Sequence, residues 1–330
     1  MEQKTPAYAP ASPFAGLPPI LRCPDCAGAL EAVGRTLICP VGHSFDLARE
    51  GYVNLARSRR TGDSKEMLRA RRRFLEAGHY QPLSDLMNHL VGEHCPAAPF
   101  TVLDAGCGEG YYLGRLAEHL AIARRPPADA GSSRSESHGS WAPDPLTQSS
   151  KISPDFHALG LDAAKDAARM AAARYRDGAF VVADLAERLP LGDEAIGVLL
   201  NVFAPRNASE FHRVLRPDGL LLSVIPTPDH LRELGSMIPM LGIEERKEEQ
   251  VRAALRDEFL PLGTERLSYI MNLSAQSLAD LVEMTPSARH LDSAARARLG
   301  RLGAMPSAVT ASFLVLSFRR RYTLIDSSPR

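Results

Sequence analysis

No run of 18 or more apolar residues occurs in the 330-residue chain, and its start shows no basic segment followed by an apolar core. Neither a membrane-spanning helix nor a secretory leader is therefore expected. Cysteine is scarce, five in all, and so small and odd a number excludes a disulfide framework and points to a reducing, cytoplasmic setting. Net charge is absent as well, with 39 Lys and Arg against 39 Asp and Glu. Any contact with nucleic acid must then come from a local basic patch and not from the field of the whole chain. What the chain does have is apolar substance: 45% hydrophobic residues, enough for one large domain and a small one.

The most informative stretch runs from Phe100 to Tyr112, F-T-V-L-D-A-G-C-G-E-G-Y-Y. An apolar run ends in Asp104, glycines follow at 106, 108 and 110, and a helical pattern of Leu113, Leu116 and Leu120 begins. This is a strand, a glycine-rich turn and a helix, the local form of a nucleotide-binding α/β unit, in which glycines let the backbone approach a ligand. No Lys-Ser/Thr follows the glycines, which excludes a phosphate-cradling P-loop, and the spacing G-x-G-x-G is not that of dinucleotide folds. Asp104 and Glu109 suit a cationic ligand better than an anionic one. These features resemble motif I of the class I S-adenosylmethionine (SAM) methyltransferases, whose cofactor carries a sulfonium and an ammonium and no phosphate.

Upstream, Cys23, Cys26, Cys39 and His43 are spaced C-x2-C-x12-C-x3-H. Two short turns with two soft or borderline ligands each, separated by a hairpin-sized segment, meet the tetrahedral demand of zinc. Four protein ligands close the coordination shell, so the expected Zn2+ is structural. About twenty residues have too little core to fold alone, and the metal supplies the missing stability.

The remaining pattern divides the chain into a flexible tail (1–20, rich in Pro and Ala), a zinc-binding module (21–60), a helical connector (61–98) and an α/β domain (99–330). The α/β domain is interrupted at 124–153 by a segment thick with Ser, Pro, Gly and Asp, read as a disordered insertion. In the connector, Asp63 or Ser64 caps a helix whose apolar stripe holds Met67, Leu68, Phe74 and Leu75, with Arg69, Arg71, Arg72 and Arg73 expected largely opposite. A second helix carries Leu83, Leu86, Met87 and Leu90. Beyond the insertion, a strand ends at Asp162, 28 residues past Asp104 once the 30-residue insertion is set aside, near the spacing of an acid that binds ribose hydroxyls. Further strands end at Asp184 and Phe203, a turn R-P-D-G precedes a strand at 220–225, and stretches near 265–273 and 309–318 can pair antiparallel. The expected fold is α/β, a doubly wound Rossmann-like sheet behind a zinc-ribbon-like module.

The zinc spacing, then H-S-F-D-L-A-R-E-G-Y-V-N-L, then G-D-S-K-E-M-L-R-A-R-R-R-F-L-E-A-G-H-Y-Q-P-L, then D-A-G-C-G-E-G-Y-Y closely resemble the RlmA family. These SAM-dependent enzymes methylate guanine N1 in a 23S rRNA hairpin near the peptide exit tunnel. N-V-F-A-P-R-N at 201–207 is similar to the branch linked to tylosin-type macrolide resistance, while the glycine loop is similar to the enterobacterial branch. The resemblance implies that Tyr80, Gly108, Glu109 and His230 contact SAM alongside Asp104, Gly106, Gly110 and Asp162. It also places Asp184 where class I enzymes read adenine, and hints at a homodimer. On residue type alone, Tyr80 reads as helix-end packing, His230 as an exposed residue and Asp184 as a turn acid. Asn201 is expected to orient the guanine edge, Phe203 to stack on the base or pack in the core, and the zinc module with the Arg57 to Arg73 region to clamp the 23S rRNA hairpin. A class I methyltransferase acting on a small molecule, and a non-catalytic RNA- or ribosome-binding protein, are the alternatives.

Overall fold

The computed structural model describes residues 12–58, 62–122, 156–235, 246–286, 288 and 307–321. Residues 1–11 of the expected tail, the 124–153 insertion, Arg59 and Arg60 lie outside them. Residues 12–20, expected as part of that tail, turn instead against the N-terminal module, with Phe14 and Ile20 buried and Leu21 bridging to Leu191. Their apolar side chains find a surface to cover, which a tail would not offer.

Strands β1 (Glu31–Val33), β2 (Thr36–Ile38) and β3 (Ser44–Asp46) form a small antiparallel sheet around buried Leu37. The next strand leaves it. β4 (Val53–Asn54) runs parallel to a strand of the large sheet, with Val53 opposite Val181 and Asn54 opposite Val182. Helix α1 (Lys65–Glu76) is capped by Ser64, whose Oγ accepts from the Met67 N–H at 3.2 Å, and it buries Met67, Leu68, Ala70, Phe74 and Leu75. Helix α2 (Gln81–His94) starts with Pro82 in its first turn, where a missing N–H costs nothing.

The α/β domain follows the alternation read from the sequence. It runs β5 (Phe100–Ala105), α3 (Tyr111–Ile122), β6 (Phe156–Asp162), α4 (Lys165–Arg174), β7 (Ala179–Val182), β8 (Ile196–Val202), α5 (Ala208–Val214), β9 (Leu215–Pro226), α6 (Arg232–Gly235), α7 (Lys247–Leu255), β10 (Phe259–Leu273), α8 (Ala275–Glu283) and β11 (Ser307–Arg320). The sheet order is β10-β11-β9-β8-β5-β6-β7-β4, parallel from β9 to β4 and antiparallel across β10, β11 and β9. Chain order reverses between β5 and β8, and ligands in such sheets bind at the carboxyl ends of the strands beside that crevice. Strands β5, β7 and β8 are buried at every position, as expected of parallel strands covered on both faces. The R-P-D-G turn is absorbed into β9: Leu215 pairs with Ile196, the register shifts, and Leu220 pairs with Val198. No helix among the described residues is long and apolar enough to cross a membrane.

The sheet leaves little room for volume at its centre. A Cβ on Gly160 of β6 would lie 2.6 Å from the Phe180 ring and 2.9 Å from the Cys107 sulfur. Gly160→Ala should therefore cost about 1–3 kcal/mol, the range for overpacking a core, read as a lower urea midpoint at unchanged slope.

Candidate functional site: a zinc ribbon joined to a cofactor cradle

The four residues of the spacing pattern meet in space. The ligand atoms of Cys23, Cys26, Cys39 and His43 all lie within 4.8 Å of one another. Cys26 and Cys39 sulfurs are 3.6 Å apart, and His43 Nδ1 lies 3.5 Å from the sulfurs of both Cys23 and Cys39. A tetrahedron with Zn–S and Zn–N arms of about 2.3 and 2.0 Å has edges of about 3.8 and 3.5 Å, so the donor set could hold Zn2+ with little adjustment.

At the end of β5 the glycine loop forms a cradle. Gly106 sits at φ +92°, and a Cβ there would meet that of Ala204 at 2.4 Å, so a side chain is excluded by conformation and by space. Asp162, at the end of β6, holds the loop from the neighbouring strand: its Oδ2 accepts from Gly108 N–H at 2.9 Å and its Oδ1 from Ala164 N–H at 2.7 Å. Gly110 N–H donates back to Cys107 O, closing the turn into α3.

Beneath this loop the chemistry is anionic. Asp104 is 1% exposed, and neither of its oxygens has a hydrogen-bond partner of good geometry among the described residues. Burial, then the charges of Asp162 and Glu109, push its carboxyl up to about 8. Glu109 is buried with Oε2 unsatisfied, and burial raises it to about 7 against the pull of Arg71. Burial also raises Asp162, opposed by its two backbone donors. An unpartnered buried carboxylate is costly in a finished site. A cationic ligand would complete this one, and the ammonium and sulfonium of SAM fit that need. Asp184 lies half-buried just beyond β7, its Oδ1 accepting from Ala186 N–H at 2.9 Å.

Tyr80 and His230, 150 residues apart, meet on the other flank: Tyr80 Oη and His230 Nε2 are 3.2 Å apart. His230 Nδ1 accepts from Ser312 N–H at 3.2 Å, and burial lowers its pKa to about 4. The ring is therefore neutral with its proton on Nε2, which donates to Tyr80 Oη and leaves the tyrosine hydroxyl proton for another acceptor. Tyr80 packs edge-on to Phe74 and Phe313, each with a centroid separation of 5.0 Å. Packing and polar contact thus coexist at Tyr80, and His230 is half-buried where residue type alone suggests exposure.

At the end of β8, Asn201 is fully buried. Its Nδ2 donates to Pro205 O at 2.9 Å and Ala105 O at 3.3 Å, while its Oδ1 has no partner among the described residues. It ties the loop after β8 to the end of β5. Phe203, two residues on, is 43% exposed at φ +52°, a left-handed conformation that costs a bulky residue roughly 1–3 kcal/mol. Its ring lies 6.4 Å from Tyr80 and 5.5 Å from Phe313. The core-packing alternative for Phe203 does not match this exposure.

Comparison with known proteins gives the site a family. Residues 21–57 match the family model described as the RlmA N-terminal zinc ribbon. The 23S rRNA (guanine(748)-N(1))-methyltransferase of Streptomyces fradiae is 37% identical over 275 residues, 82% of this chain and 86% of that protein. The chain belongs to the 23S rRNA (guanine-N1)-methyltransferase family. A Micromonospora griseorubida protein assigned the guanine-N1 activity by name is 37% identical over 321 residues, 91% of this chain and 97% of its own length. A Bacillus subtilis protein, YxjB, likewise assigned by name, is 32% identical over 298 residues, 88% and 93%. The fold accordingly is that of a class I SAM-dependent methyltransferase carrying an N-terminal zinc ribbon.

Within this family architecture one connector arginine departs from the sequence expectation. Arg71 turns inward, its Nη2 donating to Asp63 Oδ2 at 2.6 Å. Arg73 grips buried Asp280 through Nε and Nη2, and Arg72 pairs with Glu76 at 2.8 Å. α1 packs against α8 and α4, which brings Asp280 within reach of Arg73 while that side chain stays 53% exposed. Arg57, Arg69 and Arg73 remain exposed. Phe313, on β11, was not anticipated, since nothing in its local sequence separates a pocket wall from a core strand.

The raised acids fix a pH dependence. A carboxyl titrating near 8 in the folded protein and near 4 in the unfolded chain takes up a proton on folding between those values, so its contribution to stability is full below about pH 4 and is lost as pH rises through 8. Ligand-free protein should melt lower at pH 9 than at pH 6, and Asp104→Asn should flatten that difference, at roughly 2–4 °C per kcal/mol recovered. Cys23→Ser should abolish stoichiometric zinc by elemental analysis and expose β1–β3 to proteolysis.

Proposed function

We propose that the protein transfers the methyl group of SAM to N1 of a guanine in a 23S rRNA hairpin loop, in the cytoplasm. The supporting observation is a full-length likeness to proteins named for that activity, combined with a cofactor cradle whose buried acids await a cation. In this reading Cys23, Cys26, Cys39 and His43 hold Zn2+. Asp104, Gly106, Gly108, Glu109, Gly110, Asp162 and Asp184 form the cofactor side, with Tyr80 and His230 closing it.

SAM supplies an electrophilic methyl on sulfur. N1 lies on the Watson–Crick edge, so the guanine must be unpaired or flipped out of the RNA stack to reach the end of β8. Phe203 offers an exposed aromatic face there for the displaced base, held in place by the loop that Asn201 pins. Buried Asn201 thus acts as a positioning residue and not as a direct contact to the edge. The bond from sulfur to methyl breaks as N1 forms its own, and the N1 proton passes to a base. Much of the acceleration follows from holding donor and acceptor in line.

The clamp on the RNA then rests on the zinc ribbon with Arg57 and Arg69, across a cleft in which Arg22, Arg57 and Arg188 stand among Asp25, Asp184, Glu187 and Asp193. Contacts of this kind position phosphates without reading sequence.

Tritium transfer from labelled SAM to unmodified 23S rRNA, beside a metabolite panel, tests the reaction, and mapping around position 748 locates the base. Label appearing only in a small molecule would defeat the proposal. Phe203→Ala should lower kcat/KM on RNA about 10- to 100-fold, the range for loss of one base-stacking contact, while S-adenosylhomocysteine binding stays within twofold.

A further inference from the structure

The cradle described above is rich in acid, and SAM presents it with a zwitterion. Asp104, Glu109 and Asp162 suit the ammonium and the sulfonium, but the methionine moiety also carries a carboxylate, which three acids would repel. A cation must sit among them. Burial works against the charge of Arg71, yet the Glu109 and Asp63 carboxylates hold its guanidinium above its ordinary pKa, with Asp162 adding to them. Glu109 and Asp162 feel Arg71 in return.

The geometry of Arg71 is that of a donor held in place with an arm to spare. It lies on α1 four residues after Met67 and three before Phe74, hence on the inward stripe, and its side chain is only 26% exposed. Nη2 donates to Asp63 Oδ2 at 2.6 Å and to Met284 O at 3.4 Å. Nη1 and Nε have no hydrogen-bond partner among the described residues. Nη1 lies over the glycine loop, 3.3 Å from the point a Cβ on Gly108 would occupy. A guanidinium braced at one end and open at the other, facing the cradle, is built to receive a planar carboxylate.

We propose that Arg71 receives the carboxylate of the methionine moiety of SAM, making it a cofactor-specificity residue and not part of the RNA clamp. The proposal rests on the cofactor reading given under Proposed function. It also explains why Asp63 and the Met284 carbonyl converge on one arginine: they fix its position before the ligand arrives, which lowers the ordering cost of binding.

The test is calorimetric and needs no RNA. Wild-type protein should bind SAM at least tenfold more tightly than decarboxylated SAM, which differs only in lacking the carboxylate. Arg71→Met should weaken SAM about 10- to 100-fold, the range of a lost charge-assisted pair, and leave decarboxylated SAM within about twofold. Arg71→Lys should fall between. Equal weakening of both ligands, or unchanged SAM affinity, would overturn the assignment. An unchanged SAM affinity accompanied by a shallower salt dependence of RNA binding would return Arg71 to the clamp. Should Arg71→Met fail to fold, as judged by its thermal transition, the wild-type pair and Arg71→Lys decide: equal wild-type affinity for the two ligands overturns the inference. A wild-type protein that binds neither ligand would sink the cofactor reading itself, a result distinct from failure of Arg71 alone.

Discussion

Three carboxylates crowd together at the carboxyl ends of β5 and β6, and much of the architecture around them bears on that. Bringing Asp104, Glu109 and Asp162 together out of water raises all three, and a fold tolerates this only where something nearby offsets the charge. Asp162 takes two backbone N–H groups, and one of these exists because the loop bends through Gly108 in a left-handed conformation. Glu109 has Arg71. Asp104 has only a weak pull from the Leu113 N–H, and neither of its oxygens has a hydrogen-bond partner of good geometry among the described residues. The glycine spacing, the connector helix and the α8 terminus all bear on this cluster: the loop bends through Gly108, and Arg71 on the connector helix is braced by Asp63 and the Met284 carbonyl.

The zinc ribbon is tied to that site by a very small piece of chain. Two residues, Val53 and Asn54, extend the large sheet at the edge of β7, and Leu55 N–H donates to Val182 O. Covering this edge serves the sheet, since an open parallel edge would invite other strands. It also sets the ribbon close to the end of β7, where Asp184 lies in the same cleft as Cys23 and Cys26. A metal held by Cys23, Cys26, Cys39 and His43 would therefore do more than stabilise a small module: by ordering the ribbon it would also help to hold β4 against the edge of the large sheet.

The parts of this arrangement visible in the sequence are those encoded locally. The strand, glycine turn and helix at 100–122 occupy adjacent residues, and the C-x2-C-x12-C-x3-H spacing brings its ligands together through a single hairpin. The Tyr80–His230 contact spans 150 residues, and family resemblance pointed to it where periodicity could not. Pairing of β4 with β7 was illegible, since two residues carry no pattern and the partner strand lies far along the chain. Arg71 is the instructive case. A run of four arginines within five positions reads as a solvated face, yet Arg71 falls in phase with Met67, Phe74 and Leu75, and helical phase outweighed charge.

The loop after β8 shows how such a site spends its stability. Asn201 is wholly buried with one oxygen unsatisfied, and Phe203 stands exposed in a left-handed backbone conformation. Neither feature helps the ligand-free fold. Together they hold an aromatic face at the mouth of the cradle, beside Tyr80 and Phe313, where an apolar residue relaxed into the sheet would have closed the site. Strain of this kind persists because Asn201 grips both Ala105 and Pro205, so the loop cannot collapse without breaking hydrogen bonds at the end of β5. The strand that carries Asp104 thus also anchors the loop that presents Phe203, and in the proposed reaction cofactor and base would share one support.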